Sequence, residues 1–271
     1  MNSSAVESRE VRENLNVTKP LSPLQDGAVY GPIHSRRLGY SLGINPLPAS
    51  YKFCDFDCVY CQYGWTPSKG TGEKIKRADE LLTEIRSSFA SHKSQDTPVN
   101  CLTIAGNGEP TLYPEFPEFI FGLVKLRDEF YPGVPIGILS DSSQVYRPEI
   151  RAALTLIEER YMKLDGGDEE KVREINRPRG GFTFERTVTA LSFMKNIVIQ
   201  SLFLQGAYGN TDEAALEKWA AVIAKIKPDE VQVYTLDRGT PAKGLLKVSR
   251  EKLREIAEFC QRKTGIKSVV F

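Results

Sequence analysis

The sequence predicts an α/β fold of about six βα units with parallel strands, as a barrel or an open sheet. Three observations predict it. Short apolar runs alternate along the chain with stretches of helical periodicity, and that alternation implies parallel pairing through right-handed crossovers. The 271 residues suffice for one barrel-type domain or two small ones. A content of 41% hydrophobic and 26% charged residues is that of an ordinary globular protein, so a packed core is expected.

The elements follow in order. Residues 1–27 carry serine, asparagine, glutamate and two prolines without a period, and read as a flexible N-terminal arm ahead of a domain at 28–271. Tyr30 to Pro48 is punctuated by glycines and prolines, and within it Leu38–Ile44 is expected as a short first strand. Residues 50–76 form a long loop that holds three cysteines. A loop of that length inside a compact domain is usually functional or disordered. Ala78, Leu81, Leu82, Ile85 and Phe89 recur at helical spacing, so 78–90 is an amphipathic helix. Val99–Ala105 is a strand, 115–130 a helix, Pro135–Ser140 a strand and 148–158 a helix. Tyr161–Leu164 is a strand ending in Asp165-Gly166-Gly167. Helical stretches at 168–176 and 183–195 are split by Arg177-Pro178-Arg179-Gly180-Gly181. Ile197–Leu204 is the next strand, and Thr211 is the expected cap of a helix presenting Leu216, Trp219, Ala220 and Ile223 on one face. After a strand at Glu230–Leu236, Ser249 caps a last helix with Leu253, Ile256, Ala257 and Cys260 on one face, and Ser268–Phe271 closes the chain as a strand. In such folds the site lies at the C-terminal strand ends.

The net charge of +1 provides no global field toward nucleic acid or an anionic membrane. The first 25 residues have no apolar signal region, and no run of about 18 apolar residues occurs. A cytoplasmic protein is expected. Five cysteines, three of them within eight residues, are poor material for a disulfide framework and point to metal or catalysis in a reducing compartment.

Those three are Cys54, Cys58 and Cys61, a C-x3-C-x2-C run. Thiolates are the soft ligands of iron–sulfur clusters, and one loop of this spacing can wrap three corners of a cube. The fourth iron would lack a protein ligand, as a substrate-binding centre requires. The same residues also fit a structural zinc site in a binding module without catalysis. That reading needs a fourth ligand, for which only His34 and His92 are available. Cys101, inside an apolar strand, and Cys260, on an apolar helix face, read as core.

The strand at Val99–Ala105 runs into Gly106-Asn107-Gly108-Glu109-Pro110-Thr111. The glycines permit close backbone approach, and Glu109 can face a ligand ammonium. The Lys-Ser/Thr of a P-loop is absent, so nucleotide phosphate binding is not indicated.

Together and in this order, the two motifs resemble the radical S-adenosylmethionine superfamily, over about residues 30–240. Its marks are C-x3-C-x-aromatic-C, here Cys54, Cys58, Tyr60 and Cys61, and a Gly-Glu-Pro-like turn after the second strand, here Gly108-Glu109-Pro110. The resemblance implies a partial (β/α)6 TIM-like barrel with the cluster loop after the first strand. It implies a [4Fe–4S] cluster on the three cysteines and S-adenosyl-L-methionine chelating the open iron. An electron from a flavodoxin or ferredoxin would then break the C–S bond, and the 5′-deoxyadenosyl radical would take a hydrogen atom from a substrate. Carried over by position, Tyr60 lines the adenine side, and Gly108 and Glu109 meet the methionine ammonium. Ser140 and Asp165 contact the carboxylate or ribose hydroxyls, with Gln200 a looser candidate, and Leu236 packs on adenine.

Within the superfamily, residues 108–114, Lys163-Leu164-Asp165 and Leu236-Asp237-Arg238 are similar to the group of Fe–S oxidoreductases related to tRNA wyosine synthases. That group implies tRNA base modification as an alternative activity. The wyosine enzymes hold a second cluster on cysteines upstream of the main motif. This sequence has none before Cys54, so one cluster is expected.

The implied substrate is a small molecule, a protein or tRNA, and the enzyme is expected to be a monomer. Arg36, Arg37, Lys163, Arg173, Arg177, Arg179 and Arg238 lie near expected strand ends and are either an anion pocket or solvated charge. The loop 177–181 is the preferred lid or substrate loop, and Lys69, Lys74 and Lys76 the candidate docking patch for an acidic electron donor.

Overall fold

The computed structural model describes residues 19–35, 37–94 and 98–271. An eight-stranded sheet runs through it in sequence order. β1 (Val29–Ser35) pairs antiparallel with β2 (Gly39–Ile44). From β2 onward every neighbour is parallel: β3 (Cys101–Ile104), β4 (Ile136–Ser140), β5 (Glu159–Lys163), β6 (Ile197–Leu202), β8 (Glu230–Tyr234) and β10 (Ser268–Val270). The crossovers carry α1 (Ala78–Lys93), α2 (Phe116–Phe130), α3 (Pro148–Leu154), the pair α4 (Glu169–Ile175) and α5 (Phe184–Phe193), α6 (Glu213–Ile226) and α7 (Arg250–Thr264). This is the expected run of six βα units, a partial TIM-like barrel. A two-residue ribbon, β7 (Gln205–Gly206) with β9 (Leu245–Leu246), caps it.

Strand periodicity divides the sheet into two faces. Leu42, Ile44, Leu102, Ile104, Ile136, Ile138, Met162, Ile199, Val231 and Val233 belong to the main core beneath the helices. Each buried side chain of this size contributes roughly 1.5–3 kcal/mol. The alternate positions are polar and pair with one another inside the barrel. Ser41 and Thr103 hydroxyls lie 2.6 Å apart, and Gln200 Nε2 donates to Gln232 Oε1 at 2.9 Å. At the turn after β1, Arg37 stacks on Tyr234 at 4.6 Å and on Phe271 at 5.1 Å, so the hairpin tip reaches the last strands.

Several elements differ from expectation. β1 was not expected, because Gly31 and Pro32 interrupt any apolar period there, and its antiparallel pairing with β2 forms it regardless. The strands expected to reach Leu204 and Leu236 end at Leu202 and Tyr234, and α3 stops at Leu154, short of 158. The cap of α6 is Asp212, not Thr211: its carboxylate accepts the Ala215 N–H at 2.9 Å, one residue later than expected. Ser249 caps α7 as expected, accepting from Lys252 N–H, and Gly265 ends that helix in the left-handed region.

Of the expected arm, residues 1–18 lie outside the described residues, as does Arg36. Residues 19–27 run as a strap over the strand ends. Lys19 Nζ donates to the Asp237 carbonyl, Ser22 N–H to the Gln62 carbonyl at 2.8 Å, and Gln25 N–H to Asn107 Oδ1 at 2.8 Å. No helix among the described residues is long and apolar enough to cross a membrane.

Trp219 locks α6 onto the sheet. It is buried, its indole donates to Ser201 Oγ at 2.9 Å, and its ring meets Phe203 edge-on at 5.0 Å. A Cβ on Gly167 would lie 2.2 Å from the Trp219 backbone nitrogen, so only glycine lets the turn after β5 pack here. Trp219→Ala is expected to cost about 3–5 kcal/mol, read as a lowered urea midpoint. Phe121→Ser, on an exposed surface, should change stability by no more than about 0.5 kcal/mol.

Candidate active site

The site begins where two loops meet. Leaving β2, the chain passes Phe53, whose N–H donates to the Asn107 carbonyl at 2.8 Å and whose carbonyl accepts the Glu109 N–H at 3.0 Å. A Cβ at position 108 would stand 1.8 Å from the Phe53 carbonyl oxygen, and Gly108 has φ of 152°. Glycine is therefore required for the Gly-Glu-Pro turn to hold the cysteine loop. Asn107 completes the joint: it donates from Nδ2 to the carbonyls of Gln25 and Pro48, both at 2.9 Å.

A second strand of contacts clamps the loop from the other side. Asp57 and Val59 donate to the carbonyls of Asn176 and Ile175 at 2.9 Å, and Arg179 N–H donates to the Asp55 carbonyl at 2.7 Å. Arg179 also pairs with the Asp57 carboxylate. Arg177 lies between the rings of Trp65 and Tyr208, and Arg173 pairs with Glu169. The 177–181 loop, expected as a lid or substrate loop, braces the cysteine loop through Arg179. Lys69, Lys74 and Lys76, expected as a docking patch, are all exposed, and Lys76 pairs with Glu84.

Within the loop the Cys61 N–H bonds the Cys58 carbonyl at 3.0 Å. Asn176 Nδ2 reaches Cys58 Sγ at 3.3 Å, and the Phe56 N–H lies 3.4 Å from Cys54 Sγ. Phe56, Phe182 and Val172 pack over Cys54 and Cys58, and Val59 with Leu202, Leu204, Leu236 and Leu245 packs against Tyr60. Such N–H donors and an apolar wrap are what tune a sulfur-ligated centre. Burial pushes the Cys58 thiol up to about 12, reinforced by Cys61 and opposed by Asn176. Burial and then the Asp141 carboxylate hold Cys54 well above the usual thiol range. Ligation would therefore release protons.

Their N–H donors and apolar cover fit the thiols to an iron–sulfur cluster. Among the described residues, the only trio of ligand-type side chains with donor atoms within 4.8 Å of one another is Cys54, Asp55 and Asp141. The Sγ atoms of Cys54, Cys58 and Cys61 do not all lie within that distance of one another. His34 instead stacks against Tyr40, and His92 sits in the last turn of α1.

On one flank of the cysteines, Tyr60 donates its hydroxyl to Asp165. Asp165 also accepts the Leu202 N–H at 2.7 Å, Asn176 Nδ2 at 2.7 Å and the Lys163 ammonium at 3.3 Å. Burial, then Asp165, raises Tyr60 far above an ordinary phenol. Burial opposes the charge of Lys163, but Asp165 and Tyr234 outweigh it and hold the amine protonated.

On the other flank, Glu109 turns inward. Its carboxylate accepts from Thr111 N–H at 2.9 Å, Ser140 Oγ at 2.9 Å and Asp141 N–H at 2.6 Å. Burial first, eased by the Thr111 and Asp141 bonds, raises Glu109; burial and then Glu109 raise Asp141 further. Asp55 adds a third carboxylate whose Oδ1 is buried without a partner.

The sequence-identified residues therefore fall into two groups. Tyr60, Asp165 and Leu236 gather beside Cys58, while Gly108, Glu109 and Ser140 gather beside Cys54. Gln200 joins neither and pairs with Gln232 in the barrel interior. Asn176, which touches Cys58, Tyr60 and Asp165, was not anticipated, and neither was Lys52. An asparagine at a helix end carries no distinguishing signal, and Lys52 reads as surface charge. In the structure Lys52 is only 4% exposed and donates to the Gly64 carbonyl at 3.0 Å. Burial opposes its charge, but Cys61, Cys54, Cys58 and Asp57 together raise its pKa.

The family model described as the Radical SAM superfamily matches residues 49–219, more than half of the chain. A UPF0026 protein of Helicobacter pylori (strain J99) is 30% identical over 235 residues, covering 85% of this chain and 73% of that protein. A protein named GTPase Obg from Brachyspira hyodysenteriae is 30% identical over 90% of this chain, which spans only 35% of that relative's length. The solved structure of TYW1 with a lysine-pyruvate adduct bound matches with a TM-score of 0.61 at 15% identity, over 98% of this chain and 92% of that one. That likeness is one of fold.

Asn107→Ala should release the strap. The variant strips partners from the N–H and carbonyl of Gln25 and the carbonyl of Pro48, each group costing about 1–3 kcal/mol if left buried. Hydrogen exchange followed by mass spectrometry should show faster exchange across 19–27 and little change in α7.

Proposed function

The chain belongs to the radical S-adenosylmethionine superfamily and is an enzyme of it, and from that premise we propose that it holds a [4Fe–4S] cluster on Cys54, Cys58 and Cys61 and cleaves S-adenosylmethionine reductively to act on a substrate. The observation that carries the reading is the joint between Phe53 and Gly108, which pairs the backbone just before Cys54 with the Gly-Glu-Pro turn. The N–H donors to the thiols and their apolar cover suit this cluster.

When bound, cluster and S-adenosylmethionine supply a one-electron cleavage that generates a carbon radical for hydrogen abstraction. The residues of this chain bind, orient and exclude water. Three carboxylates beside Cys54, one with an unpartnered oxygen, form a place where an arriving ammonium would relieve mutual repulsion. Glu109 and Ser140 are already pre-ordered around Asp141, so little side-chain freedom is lost on binding. Tyr60, fixed by Asp165 and Asn176, presents its ring beside Leu236 for an adenine. Asp165 holds Lys163 protonated and oriented toward the polar interior, where Gln200, Gln232 and Tyr234 provide hydrogen-bonding groups for the substrate. A flavodoxin or ferredoxin is the proposed donor, and 28–271 the catalytic domain. Cys101 and Cys260 are buried in the fold, which supports one cluster rather than two.

The decisive experiment is anaerobic iron and sulfide analysis joined to an assay for 5′-deoxyadenosine. Brown protein with about four irons per chain and cleavage of S-adenosylmethionine is expected, both lost in Cys58→Ala. Colourless protein binding one zinc would overturn the assignment. Tyr60→Phe should keep the iron but weaken S-adenosylmethionine binding about tenfold, as loss of one positioning hydrogen bond of ~1.5 kcal/mol predicts.

A further inference from the structure

Lys52 stands out as a buried cation without a matching anion of its own. It lies two residues before Cys54, inside the turn of the cysteine loop. Its ammonium has three N–H donors, and the one hydrogen-bond acceptor it finds among the described residues is the Gly64 carbonyl at 3.0 Å. Gly64 in turn donates to the Cys61 carbonyl at 3.0 Å, which brings the lysine head to the cysteine turn. The carboxylate near Lys52 is Asp57, at 3.8 Å, beyond hydrogen-bond reach. Asp57 is already committed: Arg179 pairs with its Oδ2, and the Thr66 N–H donates to its Oδ1 at 2.6 Å. Lys52, Asp57 and Arg179 therefore sum to one net positive charge against the loop. A buried ammonium that only shares a carboxylate with Arg179 is costly, so its presence calls for a further anion beside it.

We propose that this anion is the cysteine-bound cluster, and that Lys52 raises its reduction potential by offsetting its charge. The inference rests on the cluster assignment above. A [4Fe–4S]2+ core with three thiolates carries a net charge of about −1, and one electron from an external donor takes it to about −2. No bond is made or broken in that step, and Lys52 keeps its proton. A fixed positive charge in a low-dielectric setting favours the more negative state, so it makes the electron easier to accept. Lys52 is accordingly a positioning residue that acts on the cluster and touches no substrate.

The test uses the full chain, reconstituted anaerobically without S-adenosylmethionine. Iron and sulfide content is measured first, then the fraction reduced against applied potential, followed by electron paramagnetic resonance. Lys52→Met should shift the midpoint to more negative potential, so that the reduced-to-oxidised ratio at a fixed potential falls tenfold or more, and Lys52→Arg should restore most of it. Asp57→Asn, nearly isosteric, should shift the midpoint the opposite way. It decides the matter if Lys52→Met does not retain a cluster. Midpoints that stay at the wild-type value, or that move in the same direction for both charge changes, would overturn the proposal in favour of a packing role. Wild-type protein without iron would remove the cluster assignment itself, a result read before any variant is made.

Discussion

Two backbone hydrogen bonds made by Phe53 carry the architecture of the site. They turn the cysteine loop and the Gly-Glu-Pro turn, which belong to different crossovers, into one extended pair. Their geometry depends on the missing side chain at Gly108. Everything nearer the chemistry hangs from this joint: the placing of Cys54 near Asp141, the seating of Glu109 under Ser140, and the anchorage of the strap through Asn107. A joint made of main chain leaves the side chains around it available for binding.

Charge is distributed unevenly across the site, and the distribution has a direction. Beside Cys54 the groups are anionic, with Asp55, Glu109 and Asp141 pressed together. Behind the loop the balance is cationic, from Lys52 and Arg179 against Asp57. Beside Cys58 the Lys163 and Asp165 pair is neutral and ringed by Tyr60 and Tyr234. A zwitterionic ligand with a delocalised ring finds distinct surroundings for each of its parts, which favours one orientation over others.

How much of this was legible before the structure follows from where each determinant lies. Cys54, Cys58 and Cys61 are neighbours in sequence, and Gly108 and Glu109 sit at the end of an apolar strand run, so spacing and periodicity expose them. The six βα units are equally local, each marked by its own period. Asn176, Lys52 and the brace formed by Arg179 acquire their meaning from partners 12 to more than 100 residues away, and nothing in their neighbours announces it. Glu109 shows the opposite limit. Its identity was readable, but its inward engagement with Thr111, Ser140 and Asp141 was not, because it depends on how β4 meets β3. Thr211 and Asp212 are adjacent capping residues of similar preference, and local chemistry alone does not separate them.

The strap has a consequence for the time order of assembly. Although it lies near the start of the chain, its backbone rests on Gly239 and its lysine on Asp237, 218 residues away. During synthesis that seat does not exist until nearly the whole barrel has left the ribosome, whereas the cysteine loop and β3 are made early. The strap therefore completes its contacts with Asp237 and Gly239 only after the cysteine loop and β3 have been made, although its bonds to Gln62 and Asn107 lie within that early part of the chain.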